Sequence, residues 1–120
     1  MLNLDTHVLI HALGGTLHAS ERRLLASNAW SVSAIVLWEL AKLVQLKRVE
    51  IDLDSADFTR IFARVHIWPL DLATCRCSTE LDFSSDPADE IIAATSIVRG
   101  LPLLTRDRRM RGSRLVPLAH

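Results

Sequence analysis

Short apolar runs alternate along the chain with longer stretches in which apolar residues recur every three or four positions. The short runs predict β-strands and the longer stretches predict amphipathic helices. Strands are predicted at residues 2–4, 30–32, 65–68 and 101–105, with a short fifth one at 115–118. Helices are predicted at residues 8–13, from 20 onward, 33–46, 55–64, 71–81 and 87–99. This alternation predicts an α/β fold in which helices cover both faces of a parallel sheet of about five strands.

Several helix ends carry the residue types that usually occupy them. Ser20, Ser33 and Asp71 stand where an N-terminal capping side chain is expected, because their oxygens accept hydrogen bonds from the first backbone N–H groups of a helix. Gly14-Gly15 and Gly100 follow the last periodic residues of two predicted helices, where glycine commonly ends a helix. The helix limits are therefore predicted by two independent signals.

The composition is that of an ordinary globular protein. Of 120 residues, 49% are hydrophobic and 23% charged, which predicts one domain spanning residues 1–120. No apolar stretch is long enough to cross a bilayer and the first residues lack a signal-peptide pattern, so a cytoplasmic protein without membrane contact is expected. Cys75 and Cys77 lie too close together to join distant segments, and we expect both to be reduced.

Basic residues are concentrated near the end of the chain, although the formal net charge is zero. The last quarter contains Arg99, Arg106, Arg108, Arg109, Arg111 and Arg114. This cluster fits a phosphate-binding surface, for which Arg106, Arg108, Arg109 and Arg111 are the candidates. A solvated basic face explains it equally well.

Four acidic residues occupy positions that favour a common site. Asp5 directly follows the first predicted strand and Asp107 follows the fourth, and the carboxyl ends of parallel strands meet at one edge of a sheet. Glu39 lies on the apolar side of its predicted helix, where an unpaired charge is costly. Asp89 lies in the first turn of another helix and leans toward its apolar side. Taken singly, each acid is explained as well by capping or by an ion pair.

The residues around these acids form four motifs. In chain order they are Leu4-Asp5-Thr6-His7; Val32-Ser33-Ala34 with Leu37-Trp38-Glu39-Leu40; Asp86-Pro87-Ala88-Asp89 with Ile91-Ile92-Ala93-Ala94; and Leu104-Thr105-Arg106-Asp107. Each motif is weak alone. Together, in this order over nearly the whole chain, they resemble the VapC family of PIN domains.

The resemblance implies a fold, an activity and partners. It implies that Asp5, Glu39, Asp89 and Asp107 converge at the carboxyl edge of a five-stranded parallel sheet and bind Mg²⁺ or Mn²⁺. Carboxylate oxygens suit these hard cations, which activate water and stabilise charge on phosphoryl oxygens. The implied activity is that of a toxin endoribonuclease, which hydrolyses an RNA phosphodiester and leaves a 5′-phosphate. The implied partners are a cognate VapB-type antitoxin and a second copy of the chain in a homodimer.

Polar neighbours of the acids are open to two interpretations. Thr6, Ser33 and Thr105 hold waters or orient the carboxylates, or they simply cap backbone groups. For Asp86, capping the helix that begins at Pro87 is favoured over assistance at the metal.

One position departs from the resemblance. Many relatives have arginine directly after the residue equivalent to Asp89, whereas this chain has Glu90. The reversed charge leaves the four acids intact but is unfavourable for RNA binding. A PIN fold that binds RNA or a partner without cutting, or that cuts only weakly, is therefore kept as the alternative.

Other kinds of site are less well supported. His7 and His11 have a spacing compatible with zinc, but no glutamate follows His7 as in the metalloprotease motif, so ordinary helical histidines are favoured. The two cysteines lack a second pair to complete a zinc site. A phosphatase of the haloacid-dehalogenase type requires a second aspartate where His7 stands, and no Walker-type phosphate loop is present.

Overall fold

A computed structural model describes residues 1–120. Four strands and seven helices alternate along it. The strands are β1 (Leu2–Leu4), β2 (Trp30–Ser33), β3 (Val65–Trp68) and β4 (Leu103–Leu104). The helices are α1 (Thr6–Gly14), α2 (Ala19–Ala26), α3 (Ala34–Gln45), α4 (Ala56–Phe62), α5 (Leu72–Cys77), α6 (Pro87–Arg99) and α7 (Arg108–Arg111).

The strands form one parallel sheet in the order β3-β2-β1-β4. The predicted α/β class is confirmed, with four strands instead of about five. The segment predicted as the fifth strand makes only a single parallel bridge, between Leu103 and Leu118. Leu103 N donates to Pro117 O and Ala119 N donates to Leu103 O. Because Pro117 has no N–H, the ladder does not extend beyond this bridge.

Strand β1 is buried on both faces, as the prediction of two helical layers requires. Leu2, Asn3 and Leu4 are each at most 4% exposed, and successive side chains of a strand point to opposite faces. On one face, Asn3 Nδ2 donates to Ile92 O at 3.2 Å and to Ser96 Oγ at 2.9 Å, both on α6. The helix that carries Asp89 is thereby tied to the central strand.

Helix α2 differs from the prediction in its capping residue and helix α5 in its last residue. Helix α2 begins at Ala19 with His18 as its N-terminal cap, because Glu21 accepts a hydrogen bond from His18 N at 2.7 Å. Ser20 is therefore inside the helix. Helix α5 ends at Cys77, four residues early, where Ser78 and Thr79 hydroxyls donate to backbone carbonyls of the last turn. Such side-chain bonds compete with continuation of the helix.

Other predicted ends are confirmed. Ser33 Oγ accepts from Ile35 N, Asp71 Oδ1 accepts from Thr74 N, and Gly100 ends α6 with a φ of 65° in the left-handed region. A residue with that φ is strained unless it is glycine. None of the helices has the length and apolar character needed to span a bilayer.

Strand order places a crevice beside the carboxyl end of β1. From β1 the chain steps outward to β2 and β3, and then returns to β4 on the other side of β1. In open parallel sheets, ligands bind at the carboxyl ends of strands where the order reverses in this way. Here that position lies between β1 and β4, directly beyond Leu4 and Leu104.

Candidate active site

A polar cleft of about 280 Å³ opens at the carboxyl ends of β1 and β4. Its lining contains no apolar residue and consists of Asp5, His7, His11, Asp89, Arg106 and Asp107. Three of the four predicted acids therefore share one cleft. A larger cavity of about 460 Å³, lined mainly by apolar residues such as Leu25, Trp30 and Ile61, lies at the opposite end of the strands. The smaller cleft holds three of the four predicted acids and is the candidate site.

Glu39 lies on α3 and is half-buried, but it does not line the cleft. Its negative charge contributes to raising the pKa of both Asp5 and Asp89, so it stands within electrostatic range of them. Glu39 thus borders the acidic site, and the structure gives it no basic partner within 4 Å.

Asp5 is held by the loop that follows β4. It is 4% exposed, and its Oδ2 accepts a hydrogen bond from Thr105 Oγ1 at 2.7 Å. Thr105 Oγ1 in turn accepts from Asp107 N at 3.0 Å. Burial raises the pKa of Asp5 above its ordinary value, and the Thr105 hydrogen bond acts in the opposite direction. One hydroxyl therefore connects two of the predicted acids.

Asp89 lies in the first turn of α6, where its Oδ2 accepts from Ser85 Oγ at 2.9 Å. The pKa of Asp89 is raised to about 6, mainly by burial, and the negative charges of Asp5, Glu39 and Asp107 contribute in the same direction. The cleft therefore carries more negative charge than its own groups compensate.

Asp107 is the N-terminal cap of α7, a helix that the sequence analysis did not predict. Its Oδ1 accepts from Arg109 N at 2.9 Å and from Met110 N at 3.1 Å, while Oδ2 accepts no hydrogen bond from the protein. A helix of four residues is too short to show apolar periodicity. The only sequence signal was a capping residue three positions before the buried Met110.

The remaining polar neighbours have different environments. Ser33 caps the backbone at the start of α3, as the second of its two interpretations predicted. Thr6 Oγ1 is buried and has no hydrogen-bond partner.

The prediction that the Asp86 side chain caps α6 is wrong. Asp86 occupies the capping position, yet its side chain is exposed and makes no capping hydrogen bond. Glu90 Oε2 accepts instead from Ser85 N at 3.3 Å.

Arg106 is paired within the protein. Its Nε donates to Glu21 Oε2 at 2.8 Å and its Nη2 donates to Glu21 Oε1 at 2.6 Å. Glu21 is 6% exposed, and the Arg106 hydrogen bonds lower its pKa to about 2. Arg106 is one of the four arginines predicted as phosphate-binding candidates, whereas Glu21 was not among the predicted site residues. The two residues lie 85 positions apart, and no local pattern predicts their contact.

His11 completes this cluster. Arg106 Nη1 donates to His11 Nε2 at 3.0 Å, and His11 Nδ1 lies 2.7 Å from Thr16 Oγ1. Burial and the Arg106 charge lower the pKa of His11, which favours the neutral ring as an acceptor at Nε2. His7 is exposed at the cleft. The structure gathers no zinc-like set of three or more ligands around the two histidines.

The other three candidate arginines lie on α7. Arg108 is exposed and its side chain makes no hydrogen bond. Arg109 Nη1 donates to Ser84 O at 3.4 Å, and Arg111 Nη1 donates to Thr105 O at 3.2 Å. All three retain further N–H groups for a ligand, since a guanidinium has five.

The donor set of the cleft fits a hard divalent cation. Carboxylate oxygens of Asp5, Asp89 and Asp107 face it, and the nearest guanidinium is already neutralised by Glu21. No three acidic or imidazole groups lie close enough together to coordinate a metal ion without rearrangement. Like charges repel one another without a cation, and Mg²⁺ uses few protein carboxylates while keeping several waters. The excess negative charge is what such an ion offsets.

Comparisons with known proteins agree with this fold. The chain is similar to Ribonuclease VapC22 of Mycobacterium tuberculosis, with 29% identity over 100 residues, which cover 80% of this chain and 76% of that protein. Its fold is similar to the structure of VapBC2 from Rickettsia felis bound to a DNA fragment from their promoter, with a TM-score of 0.74 and 20% identity over 99% of this chain and 98% of that one. It is also similar to a toxin-antitoxin complex from Klebsiella pneumoniae, with a TM-score of 0.67 and 21% identity over 93% and 92%.

The family assignment rests on the greater part of the sequence. Residues 3–112 match the family described as PIN domain, a span that includes all four predicted acids. The resemblance inferred from the four motifs is thereby confirmed at the level of the family. The chain belongs to the PIN domain family.

Proposed function

We propose that this chain is a metal-dependent endoribonuclease, with Asp5, Glu39, Asp89 and Asp107 as the acids that bind Mg²⁺ or Mn²⁺. The observation that carries the proposal is the cleft itself, where three carboxylates converge and Asp89 has a pKa of about 6. Perturbed carboxylates in a cleft are typical of catalytic sites. Membership of the PIN family and the similarity to a protein named ribonuclease support the same activity.

The residues of the chain divide the work. When bound, the cation supplies a water activated for attack on an RNA phosphodiester and stabilises charge on the phosphoryl oxygens. Thr105 orients Asp5, Ser85 orients Asp89, and backbone N–H groups of α7 hold one oxygen of Asp107. The other oxygen of Asp107 accepts no hydrogen bond from the protein and would be available to hold the cation. Hydrolysis leaves a 5′-phosphate on one product.

The three arginines of α7 are proposed to bind the RNA backbone. Arg108 is the best placed because its guanidinium is free of protein partners, and Arg109 and Arg111 each keep donors beyond one carbonyl contact. Arg106 is proposed to affect RNA only through its charge, because its hydrogen bonds go mainly to Glu21. Because RNA is the proposed substrate, we propose that the protein acts in the cytoplasm.

The proposed partners are a VapB-type antitoxin and a second copy of this chain. Two of the similar structures are complexes named VapBC2 and toxin-antitoxin, which supports an antitoxin. Large apolar side chains are exposed on the surface, including Trp38 at 57% and Leu72 at 64%. Such surface favours protein contacts. Light scattering of the purified chain and of its Trp38→Ser variant tests the homodimer, which is expected to weaken in the variant.

The activity is tested with antitoxin-free protein and total RNA in the presence of Mg²⁺ or Mn²⁺. The expected result is a set of discrete fragments with 5′-phosphates, abolished by EDTA and by Asp5→Asn or Glu39→Gln. Matched controls are Asp54→Asn and Glu80→Gln, exposed acids outside the cleft that are expected to cut like the parent. Intact RNA from a folded, metal-loaded parent that nonetheless binds RNA would favour the non-cutting alternative.

A further inference from the structure

Arg106 lines the acidic cleft and yet forms no ion pair with the acids around it. The cleft contains Asp5, Asp89 and Asp107 together with this one arginine. Within 4 Å, the only carboxylate paired with Arg106 is that of Glu21, outside the cleft on α2. A guanidinium beside several carboxylates normally pairs with one of them. Its orientation here requires a specific cause.

The hydrogen bonds of Arg106 supply that cause. Four are formed, two to the carboxylate of Glu21, one to His11 Nε2 and one to Thr16 O. A guanidinium has only five N–H groups, so most of its donors are directed away from the acids. The two bonds to Glu21, at 2.8 and 2.6 Å, use both carboxylate oxygens and fix the plane of the group.

Glu21 is itself fixed and buried. Its Oε1 also accepts from His18 N at 2.7 Å, which anchors it to the first turn of α2. Its side chain is 8% exposed, compared with 31% for that of Arg106. A buried carboxylate that lost its partner would be strongly destabilised, so Arg106 is held firmly in this position.

We propose that Glu21 is a positioning residue that holds the guanidinium of Arg106 away from the acids of the cleft and thereby keeps the carboxylates available for a divalent cation. The inference rests on the proposed function, because it takes the cleft acids to be cation ligands. A released Arg106 would pair with these acids and compete with the metal. The Glu21–Arg106 pair thus acts on cation affinity without touching the cation.

The test measures Mn²⁺ binding by titration calorimetry, with RNA absent. Glu21→Gln keeps an oxygen for the His18 N–H but removes the charge that holds Arg106. Glu21→Ala removes both. Arg106→Gln and the double variant Glu21→Gln with Arg106→Gln remove the competing cation, and the double variant also leaves no buried charge unpaired. Arg114→Gln, an exposed arginine beyond the end of α7, is the matched control. Circular dichroism melting confirms that each variant is folded.

We expect Glu21→Gln and Glu21→Ala to bind Mn²⁺ about tenfold more weakly than the parent, the order of effect of one charge-assisted contact. The double variant should regain the parental affinity within about twofold. A purely structural role of Glu21 would not give this recovery, because the double variant still lacks Glu21. Arg114→Gln should bind Mn²⁺ like the parent.

Two results would overturn this positioning role of Glu21 while leaving the nuclease intact. One is parental Mn²⁺ affinity in both single Glu21 variants. The other is a double variant as weak as Glu21→Gln, which would mean that Glu21 shapes the cleft by packing alone. A folded parent that binds no Mn²⁺ would instead contradict the proposed function and the positioning role together, so the two failures are distinguishable.

Discussion

The hydroxyl of Thr105 lies 2.7 Å from Oδ2 of Asp5, although the two residues are 100 positions apart in the chain. The same hydroxyl accepts the N–H of Asp107. Thr105 is therefore the junction between the end of β1 and the end of β4. The geometry of the acidic cleft depends on one small side chain that carries no charge.

Replacing Thr105 with valine is expected to lower kcat for RNA about tenfold while leaving KM within about twofold. The shape is preserved, but the donor to Asp5 and the acceptor for Asp107 N are lost. Loss of a charge-assisted bond at a buried carboxylate should also cost roughly 1.5 to 3 kcal/mol of unfolding free energy. Cleavage kinetics and urea denaturation measure both effects.

Serine at position 105 keeps the hydroxyl and is expected to restore most of kcat. Thr95→Val is the matched control, because Thr95 is equally buried but its hydroxyl bonds only to Ile91 O within α6. A Thr105→Val enzyme with parental kcat would show that Asp5 needs no orientation from this loop.

The Glu21–Arg106 pair predicts a specific loss of stability in acid. The folded-state pKa of Glu21 is about 2, below its ordinary value of 4.5. The stabilisation is therefore complete above pH 4.5 and is lost as the pH falls toward 2. Its size is on the order of 3 kcal/mol. The difference in urea unfolding free energy between the parent and Glu21→Gln should shrink steadily from pH 5 to pH 3.

The exposed ion pair Asp57–Arg60 is the control for the pH dependence of unfolding free energy. Asp57→Asn is expected to change unfolding free energy by less than about 1 kcal/mol at any pH, because exposed ion pairs contribute little. If the parent and Glu21→Gln differed equally at pH 5 and pH 3, the charge of Glu21 would not be the source of the stabilisation.

The raised pKa of Asp89 predicts a pH dependence of stability opposite to that of Glu21. Its pKa is raised to about 6 in the folded protein, so the carboxyl stabilises the fold at low pH, and that contribution is lost as the pH rises through 6. Asparagine at this position does not ionise. At pH 7 in EDTA, Asp89→Asn should be about 1 to 2 kcal/mol more stable than the parent, and below pH 4 the two should converge.

Saturating Mn²⁺ should reverse that order, because an ion that binds the folded parent stabilises it by mass action. Melting temperatures of both proteins with EDTA and with Mn²⁺ give the comparison directly. An Asp89→Asn protein that is less stable than the parent at pH 7 in EDTA would contradict the account of like charges in the cleft.

Asn3 is predicted to be a structural requirement of the site although it lies outside the cleft. Asn3→Ala removes two buried hydrogen bonds between β1 and α6, and leaves the Ser96 hydroxyl without its donor. We expect a loss of roughly 2 to 3 kcal/mol in urea unfolding. Ser31→Ala, whose hydroxyl bonds Leu2 O from the neighbouring strand, should cost less because only one bond is lost. Equal stability of Asn3→Ala and the parent would refute this role.

The sequence predicted the parts of the site that follow from local rules. Asp5 and Asp107 were identified because they follow strands, and Asp89 because it lies in the first turn of a helix that starts at Pro87. Parallel strands then bring these ends together without further information. Glu39 was selected for its place on an apolar helix face, and it borders the cleft instead of lining it.

The parts that escaped prediction depend on tertiary contacts. Glu21 pairs with an arginine 85 residues away, and the capping residue beside it is a histidine, which is uncommon at that position. The prediction of a fifth strand was wrong for a reason that the sequence contains, since Pro117 lacks the N–H that a hydrogen-bonded ladder needs. Helix α7 was hidden because one turn has no period to detect.

The order of strands also determines when the cleft can exist during synthesis. Strand β1 and Asp5 leave the ribosome first, whereas β4, which pairs with β1, is the last strand along the chain. Thr105 and Asp107 are needed to orient Asp5 and to close the acidic set. A growing chain therefore carries an unfinished set of carboxylates until residue 107 has been made and folded.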